Sequence, residues 1–197
     1  MAQHGRSGRV LAGGQSLMPL LNARKLRPDH LIDINPVAEL DHVAIADSTV
    51  TVGAMVRQEA ALRNPGLELA APMLADALRH VASPTVRNRG TICGSIAHAQ
   101  PAAELPAVAV AMGGEVVAQH RDTGERSIDI GDFFEAPFVT ALREGELLTE
   151  IRLKRWPDTV GHAFLELSRV RWPVVSVAVL VQLSNSAISC CSIALAG

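Results

Sequence analysis

Hydrophobic and polar positions in the first third of the chain form short runs that favour strands, turns and one helix. The apolar residues 10–12 meet two glycines, and leucines then recur at helical spacing over residues 17–24, with Ser16 as the predicted N-cap. The stretch HLIDINPV predicts a strand that ends at Asn35-Pro36. The stretch HVAIADSTVTVGAMV predicts a hairpin around Asp47-Ser48.

The middle of the chain changes to a helical period. Residues 57–81 follow this period, with an interruption at Asn64-Pro65-Gly66. The polar, glycine-containing stretch SPTVRNRGTICGS predicts a loop, and ELPAVAVAMGG predicts a buried helix that ends at Gly113-Gly114. Farther along, EVVAQHRDTGERSIDI predicts a hairpin with its turn at residues 122–124, and GDFFEAP predicts an irregular connection.

The last third is dominated by apolar strands. ELLTEIRL predicts one strand, and RWPVVSVAVLVQLSNSAISCCSIALAG predicts two long strands around Ser184-Asn185-Ser186. An apolar hairpin is stable only with a third strand or with covering helices. Because the sequence stops at Gly197, we expect either a shortened chain or a partner that covers the hairpin.

Composition narrows the possible functions. The 197 residues are enough for one large or two small domains, and 48% of them are hydrophobic. A net charge of −2 gives no electrostatic reason to expect binding to nucleic acid or to an anionic membrane. No apolar run reaches the ~18 residues of a membrane span, and the N-terminus lacks a signal-peptide core, so we expect a cytoplasmic protein. Three cysteines are too few for a disulfide framework or for an iron–sulfur cluster held by this chain alone.

The first candidate site is the glycine turn in RVLAGGQSLMPLLNAR. Phosphates bind where several backbone N–H groups converge, often at a glycine turn that leads into a helix. Gly13 and Gly14 would let the backbone approach a pyrophosphate, and Gln15 and Ser16 could add side-chain donors. The alternative is an ordinary strand-to-helix turn with a serine cap.

The second candidate site is RNRGTICGSIAHAQPAAELP, which offers Gly90, Thr91, Gly94 and Ser95. Its basic triplet at residues 87–89 could be a solvated surface or could attract an anion. Glu104 could simply cap a helix, or it could bind a ribose or ribityl hydroxyl. His98 lies inside the loop without a second histidine at metal-ligand spacing. Neither loop matches the dinucleotide-binding or the P-loop pattern.

Together the two loops resemble those of the flavin-binding medium subunits of molybdenum hydroxylases, a family that includes the carbon monoxide dehydrogenase medium chain and the FAD domain of xanthine dehydrogenase. LAGGQSLMPLLNARKLRPDHLIDIN is similar to the first FAD loop, and RNRGTICGSIAHAQPAAELPAV is similar to the second. The segments VTVGAMVR, GDFF, TALREGELLTEIRL and IALAG follow in the family order. The resemblance covers nearly the whole chain.

The resemblance implies an α+β fold with two small α/β subdomains of the PCMH type, predicted at residues 1–155. The beginning of a C-terminal domain with an antiparallel sheet is predicted at residues 160–197. The implied activity is that of an FAD-dependent electron-transfer subunit of an oxidoreductase. It would receive electrons from a small iron–sulfur subunit, beside a large subunit with the molybdenum cofactor. It would pass them to NAD, a quinone or oxygen. No catalytic acid, base or metal ligand is predicted on this chain.

The resemblance also assigns the FAD-binding residues. The first loop would contact the pyrophosphate through Ala12, Gly13, Gly14, Gln15, Ser16 and Leu17. The second loop would contact the pyrophosphate and the ribityl chain through Gly90, Thr91, Cys93, Gly94, Ser95 and His98. Glu104 would be the acidic ligand. Val81, Ala82 and Val86 would border the adenine, and Leu148 would lie near the flavin ring.

Some features depart from the family pattern. Cys93 replaces a glycine, which would cost about 1 kcal/mol if the backbone there had a positive φ. Gln100 replaces an aspartate. The family also has a strand and a helix before LAGG, so we expect an unpaired edge on the strand at residues 10–12. Two alternatives therefore stay open: a truncated or degenerate relative with weak or no FAD binding, or a module that docks a partner through its terminal hairpin.

Overall fold

The computed structural model describes residues 8–169 and 172–197, which form an α+β fold. The helices are α1 Leu17–Asn22, α2 Gln58–Leu62, α3 Pro65–Ala70, α4 Pro72–His80, α5 Pro84–Arg87, α6 Ile92–His98, α7 Glu104–Met112 and α8 Ile130–Phe133. The strands are β1 Gly8–Leu11, β2 His30–Asp33, β3 Val43–Ile45, β4 Thr49–Gly53, β5 Gly114–His120, β6 Gly124–Asp129, β7 Phe134–Ala136, β8 Val139–Thr140, β9 Leu147–Lys154, β10 Gly161–Arg169, β11 Trp172–Ser184 and β12 Ala187–Ala196. No helix in these ranges is long and apolar enough to cross a membrane.

The N-terminal unit is a β1-α1-β2 crossover. The strands β1 and β2 pair in parallel, with Val10 opposite Ile32, and α1 connects them. The predicted order of strand, helix and strand is therefore confirmed. Among the described residues β1 pairs only with β2, so its second edge has no strand partner there.

A five-stranded antiparallel sheet forms the centre of the molecule, in the order β3-β4-β9-β5-β6. The two predicted hairpins, β3–β4 and β5–β6, are confirmed, and β9 joins them by pairing with both β4 and β5. Val50, Val52, Val116 and Ile151 on the central strands are fully buried. These side chains share one hydrophobic core with α4, α6 and α7. The buried helix predicted from ELPAVAVAMGG is α7.

The helical middle segment is confirmed as α2, α3 and α4. Asn64 does more than interrupt the pattern, because its side chain accepts a hydrogen bond from Leu67 N and caps α3, which begins at Pro65. The prediction of a loop over SPTVRNRGTICGS is wrong, since this stretch contains α5 and the start of α6. Pro84 begins α5, and Thr91 caps α6 by accepting from Gly94 N at 3.0 Å. Similarly, GDFFEAP is a short helix, α8, followed by β7.

The C-terminal sheet has three antiparallel strands in the order β10-β11-β12. Its inner face packs against α4 and α7, so β10 and these helices provide the support that the apolar hairpin requires. Its outer face presents aliphatic side chains that are largely exposed: Leu165, Leu167, Val175, Ile193 and Leu195.

Candidate cofactor-binding site

A cavity of about 500 Å³ lies between the two glycine loops, the C-terminal end of α4 and the beginning of α7. It brings together fifteen of the seventeen predicted site residues: Ala12, Gly13, Gly14, Gln15, Ser16, Leu17, Val81, Ala82, Val86, Gly90, Thr91, Gly94, Ser95, His98 and Glu104. These residues come from positions up to 92 apart in the sequence, counted from Ala12 to Glu104. The fold therefore places both loops against one shared space.

The first loop, residues 12–17, offers backbone N–H groups and the Ser16 hydroxyl to the cavity, whereas Gln15 Nε2 donates to Gly13 O at 3.2 Å. Gly14 has a φ of 73°, which explains the glycine, and its carbonyl oxygen accepts from Met18 N at the start of α1. The N–H groups of Gln15, Ser16 and Leu17 have no hydrogen-bond partner within residues 8–169 and 172–197. The prediction that Ser16 caps α1 is wrong in one respect, because its side chain makes no capping hydrogen bond. Its hydroxyl is free to face a ligand.

The two loops touch through their backbones. A Cβ built on Gly13 would overlap the carbonyl oxygen of Arg89 and lie 2.8 Å from Gly90 Cα. A Cβ built on Gly90 would lie 2.6 Å from Oε1 of Gln58, which is a buried atom without a hydrogen-bond partner among the described residues. Gln58 N also donates to Gly90 O at 2.9 Å. Close approach of backbone, rather than a positive φ, thus requires glycine at position 13, whereas a side chain at position 90 would first displace the end of the Gln58 side chain.

The second loop, residues 90–95, is rigidly anchored on its inner side. Thr91 is 2% exposed, and its hydroxyl accepts from Gly94 N. Neither alternative for the basic triplet holds for Arg87, which is buried, pairs with Glu59 at 2.9 Å and donates to Val81 O at 2.9 Å. This side chain supports the cavity wall from behind instead of attracting an anion.

Cys93 does not line the main cavity. It lies within α6 outside the positive-φ region, so the expected backbone cost of replacing glycine does not arise. Its thiol is buried and donates to Val52 O at 3.4 Å, and burial raises its pKa well above the usual value. Leu148 is also absent from the main cavity, although both residues line a second cavity of about 410 Å³. That cavity shares Ser16, Gly94 and His98 with the first one.

Glu104 lies at the first position of α7 and is 7% exposed. Burial raises the pKa of Glu104 to about 7, and the neighbouring carboxylate of Glu166 adds to this effect. Glu166 lies directly opposite Ser176 on β10 and β11. Both Glu166 Oε2 and Ser176 Oγ are buried without a partner among the described residues. Of these three residues only Glu104 lines the cavity, where its carboxyl group can bind a hydroxyl group of a ligand.

His98 lines both cavities, and its ring contacts the ring of Phe138. Its ring lies 5.2 Å from the ring of Phe138, measured between centroids, and burial lowers the pKa of His98. Phe138 has a φ of 62°, a strained conformation for an aromatic residue, and its N–H donates to Ala99 O at 2.8 Å. Because burial lowers the pKa of His98, the neutral form of its imidazole is favoured.

Sequence reasoning missed several cavity residues: Val10, Pro19, Gln58, Ala103 and Pro173. Gln58 is the most informative of them, because it is 5% exposed and supports the second loop from α2. No local pattern identifies this glutamine, because every other residue of the cavity lies far from it in the sequence. The nearest is Val81, 23 residues later, and the nearest on the N-terminal side is Pro19. Gln100, noted above as a departure, also lines the cavity.

Comparison with known proteins gives a consistent result. The family model described as "FAD binding domain in molybdopterin dehydrogenase" matches residues 1–156. The chain is 36% identical over 197 residues to the carbon monoxide dehydrogenase medium chain of Hydrogenophaga pseudoflava, covering 99% of this chain and 68% of that protein. It is 41% identical over 169 residues to the 6-hydroxypseudooxynicotine dehydrogenase complex subunit alpha of Paenarthrobacter nicotinovorans, covering 86% of this chain and 57% of that protein.

Solved structures agree with these sequences. A carbon monoxide dehydrogenase structure from Hydrogenophaga pseudoflava matches with a TM-score of 0.95 and 36% identity, over 99% of this chain and 68% of that one. Quinoline 2-oxidoreductase from Pseudomonas putida 86 matches with a TM-score of 0.90 and 33% identity, over 96% of this chain and 66% of that one. The chain thus spans 57% to 68% of the length of these relatives.

Proposed function

The chain belongs to the family of FAD-binding domains of molybdopterin dehydrogenases, and from this premise we propose that it holds FAD between its two loops and serves in electron transfer. The observation that carries the proposal is the convergence of fifteen predicted residues on one cavity. The substrate and the final electron acceptor are set elsewhere in such a complex, and we propose no specific identity for either.

The donor set at the first loop fits a pyrophosphate. Three consecutive N–H groups, from Gln15 to Leu17, have no partner within the described ranges, and an anion would satisfy them. Gly13 and Gly14 add no side chain that would hold a phosphate away from the backbone. The hydroxyls of Ser16 and Ser95 lie on opposite loops of the same cavity. We propose that these groups bind the two phosphates from both sides.

The two ends of the cavity fit the other parts of FAD. Val81, Ala82 and Val86 form an apolar wall suited to a planar ring, the role predicted for the adenine. Glu104 lies where a carboxyl group can bind a hydroxyl of the sugar or of the ribityl chain. Leu148 and Cys93 reach only the second cavity, so a role near the flavin ring requires the ligand to extend into that space.

The redox chemistry belongs to FAD, which accepts and releases electrons when it is bound. The chain's own residues bind the pyrophosphate, exclude water from the apolar wall and place a carboxyl group beside the ligand. We therefore assign no catalytic acid or base to this chain.

We also propose partner subunits. Several relatives are named as one subunit of a complex, for example a medium chain and a subunit alpha. By this likeness a small iron–sulfur subunit and a large subunit with the molybdenum cofactor would accompany the chain. Co-purification from cells that express all three genes tests this point, and fractionation of the same cells tests the predicted cytoplasmic location.

The function is tested by titrating the purified chain with FAD and recording the visible spectrum and flavin fluorescence. We expect saturable binding that survives gel filtration. Gly13→Ala should abolish it, because the new Cβ would overlap the backbone of the second loop. Gly161→Ala is the matched control, since a Cβ there meets only Val181 O at an ordinary 3.7 Å. Absence of binding, even with the partner subunits, would instead support the degenerate relative.

A further inference from the structure

Arg57, which precedes α2, connects the two loops of the cavity through its guanidinium group. Nη1 donates to the carbonyl oxygen of Arg89, next to the second loop, and Nη2 donates to Oδ1 of Asn35. Nδ2 of Asn35 then donates to the carbonyl oxygens of Ala12 at 3.0 Å and Leu11 at 3.4 Å. A continuous chain of hydrogen bonds therefore runs from the backbone of the first loop to the backbone of the second.

Asn35 is itself held in place at the end of β2. Its backbone N–H and its Nδ2 both donate to Oδ1 of Asp33, at 2.9 Å and 2.5 Å. The side-chain amide therefore has its oxygen directed at Arg57 and its nitrogen directed at the first loop. This arrangement fixes the amide orientation without any contribution from a ligand.

The hydrogen-bonded chain lies where the two loops touch. Gly13 packs against the carbonyl group of Arg89, the same carbonyl group that Arg57 binds. Arg57 and Thr91 also form an isolated antiparallel β-bridge, in which Gln58 N donates to Gly90 O. This bridge connects the beginning of α2 to the second loop. Arg57 is thus hydrogen-bonded at the point where the two loops touch.

A cation beside a cavity for an anion would ordinarily be interpreted as a phosphate ligand. Two observations oppose that interpretation for Arg57. Both Nη atoms already donate to protein acceptors, and Arg57 does not line either of the two cavities around the loops. An indirect role, through the backbone of the loops, agrees with both observations.

We propose that Arg57 and Asn35 are positioning residues that form a clamp, which sets the spacing of the two loops so that both meet the same pyrophosphate. The inference rests on the proposed function. Two different nitrogens of the planar guanidinium group bind the two acceptors, whereas lysine has a single nitrogen on a flexible chain, so we expect lysine to keep the charge and lose the clamp.

The test is the FAD dissociation constant of the full chain, measured by flavin fluorescence at several salt concentrations. The variants are Arg57→Gln, Arg57→Lys, Asn35→Ala and the double variant Arg57→Gln/Asn35→Ala. We expect each single variant to weaken binding on the order of tenfold or more, as hydrogen bonds of the clamp are lost. The double variant should have the same FAD dissociation constant as the single variant that binds less tightly, because either substitution alone already breaks the clamp. The salt dependence should stay that of the wild type, because no phosphate contact is lost.

Arg63→Gln is the matched control, since the Arg63 side chain is 75% exposed just beyond α2 and its loss leaves the buried Arg87–Glu59 pair in place. We expect unchanged FAD binding in this variant. Hydrogen exchange of the amides of Met18 and Gln58, which donate to Gly14 O in the first loop and to Gly90 O in the second, gives a readout in the ligand-free protein that is independent of flavin chemistry. It should be faster in Arg57→Gln and unchanged in Arg63→Gln.

The clamp is refuted if Arg57→Lys binds like the wild type while Arg57→Gln binds weakly with a flatter salt dependence, because Arg57 would then act as a charge on the phosphate. Additive effects in the double variant would also refute it. If circular dichroism shows that Arg57→Gln does not fold, Asn35→Ala decides, and wild-type affinity in that variant overturns the clamp. A wild-type chain that binds no FAD overturns the proposed function and the clamp together. If the wild type binds FAD and the clamp variants bind it with the same affinity, the clamp alone is overturned.

Discussion

The buried carboxyl group of Glu104 should make the stability of the ligand-free protein depend on pH in an unusual direction. Burial raises the pKa of Glu104 from its ordinary value of 4.5 to about 7. Between these two values the folded protein binds a proton that the unfolded chain has released. The free energy of unfolding therefore falls as the pH rises from about 4.5 to about 7, and the loss is complete above this range.

The magnitude follows from the separation of the two pKa values. About 2.5 pH units at 1.36 kcal/mol each give roughly 3 kcal/mol as an upper bound. Glu104→Gln carries no titratable proton, so it should lack this contribution at every pH. Relative to the wild type, the variant should gain up to about 3 kcal/mol between pH 5 and pH 8.

The assay is urea unfolding of the wild type, Glu104→Gln and Glu39→Gln at half-unit steps from pH 5 to pH 8. Glu39 lies on an exposed turn, so Glu39→Gln controls for the loss of one carboxyl group outside the cavity. Parallel profiles for the wild type and Glu104→Gln would show that the carboxyl group is ionised at little cost. The reasoning from burial would then be wrong.

Three further outcomes are expected. Arg87→Met should lower the midpoint of thermal unfolding more than Arg63→Met, because both arginines pair with Glu59 but only Arg87 is buried and also donates to Val81 O; equal shifts would contradict this difference. In the native protein an aromatic disulfide reagent should modify two thiols, those of the exposed Cys190 and Cys191. Cys93 should react only after unfolding, because burial raises its pKa and blocks access of the reagent. Three rapidly reacting thiols would contradict the buried position of Cys93. Leu148→Ala should reduce the free energy of unfolding by about 2–3 kcal/mol in urea titrations. This value is at the low end for buried leucines because the side chain already borders a cavity. A loss of less than about 1 kcal/mol would show that the side chain is poorly packed.

Regular alternation made most of the fold predictable from the sequence. The hairpins β3–β4 and β5–β6 have apolar positions at period two with turn residues between them, and the buried helix α7 is almost entirely apolar. The helices α5 and α6 were missed because their polar, glycine-containing sequence is typical of a loop. Their stability comes from Pro84 at the start of α5 and from the Thr91 cap of α6, together with burial of Ile92 and Ile96.

The candidate site was likewise predictable only in part. Glycine turns and the resemblance of both loops to one family identified fifteen cavity residues before the structure placed them together. The supporting contacts could not be identified in this way. Asn35, Arg57 and Arg89 are separated by 22 and 32 residues, and each looks like an ordinary polar surface position. Only the parallel pairing of β1 with β2 and the packing of α2 bring them into one hydrogen-bonded chain.

The exposed aliphatic face of the β10-β11-β12 sheet determines how the protein responds to temperature and to cosolvents. Leu165, Leu167, Ile193 and Leu195 each expose more than half of their surface on this face. Any association through such a face is driven by the hydrophobic effect, so it weakens on cooling and strengthens with sulfate or phosphate. Association through ion pairs would respond to added salt in the opposite sense. Light scattering of the chain at 4 °C and 30 °C, in chloride and in sulfate, therefore distinguishes hydrophobic association from association through ion pairs.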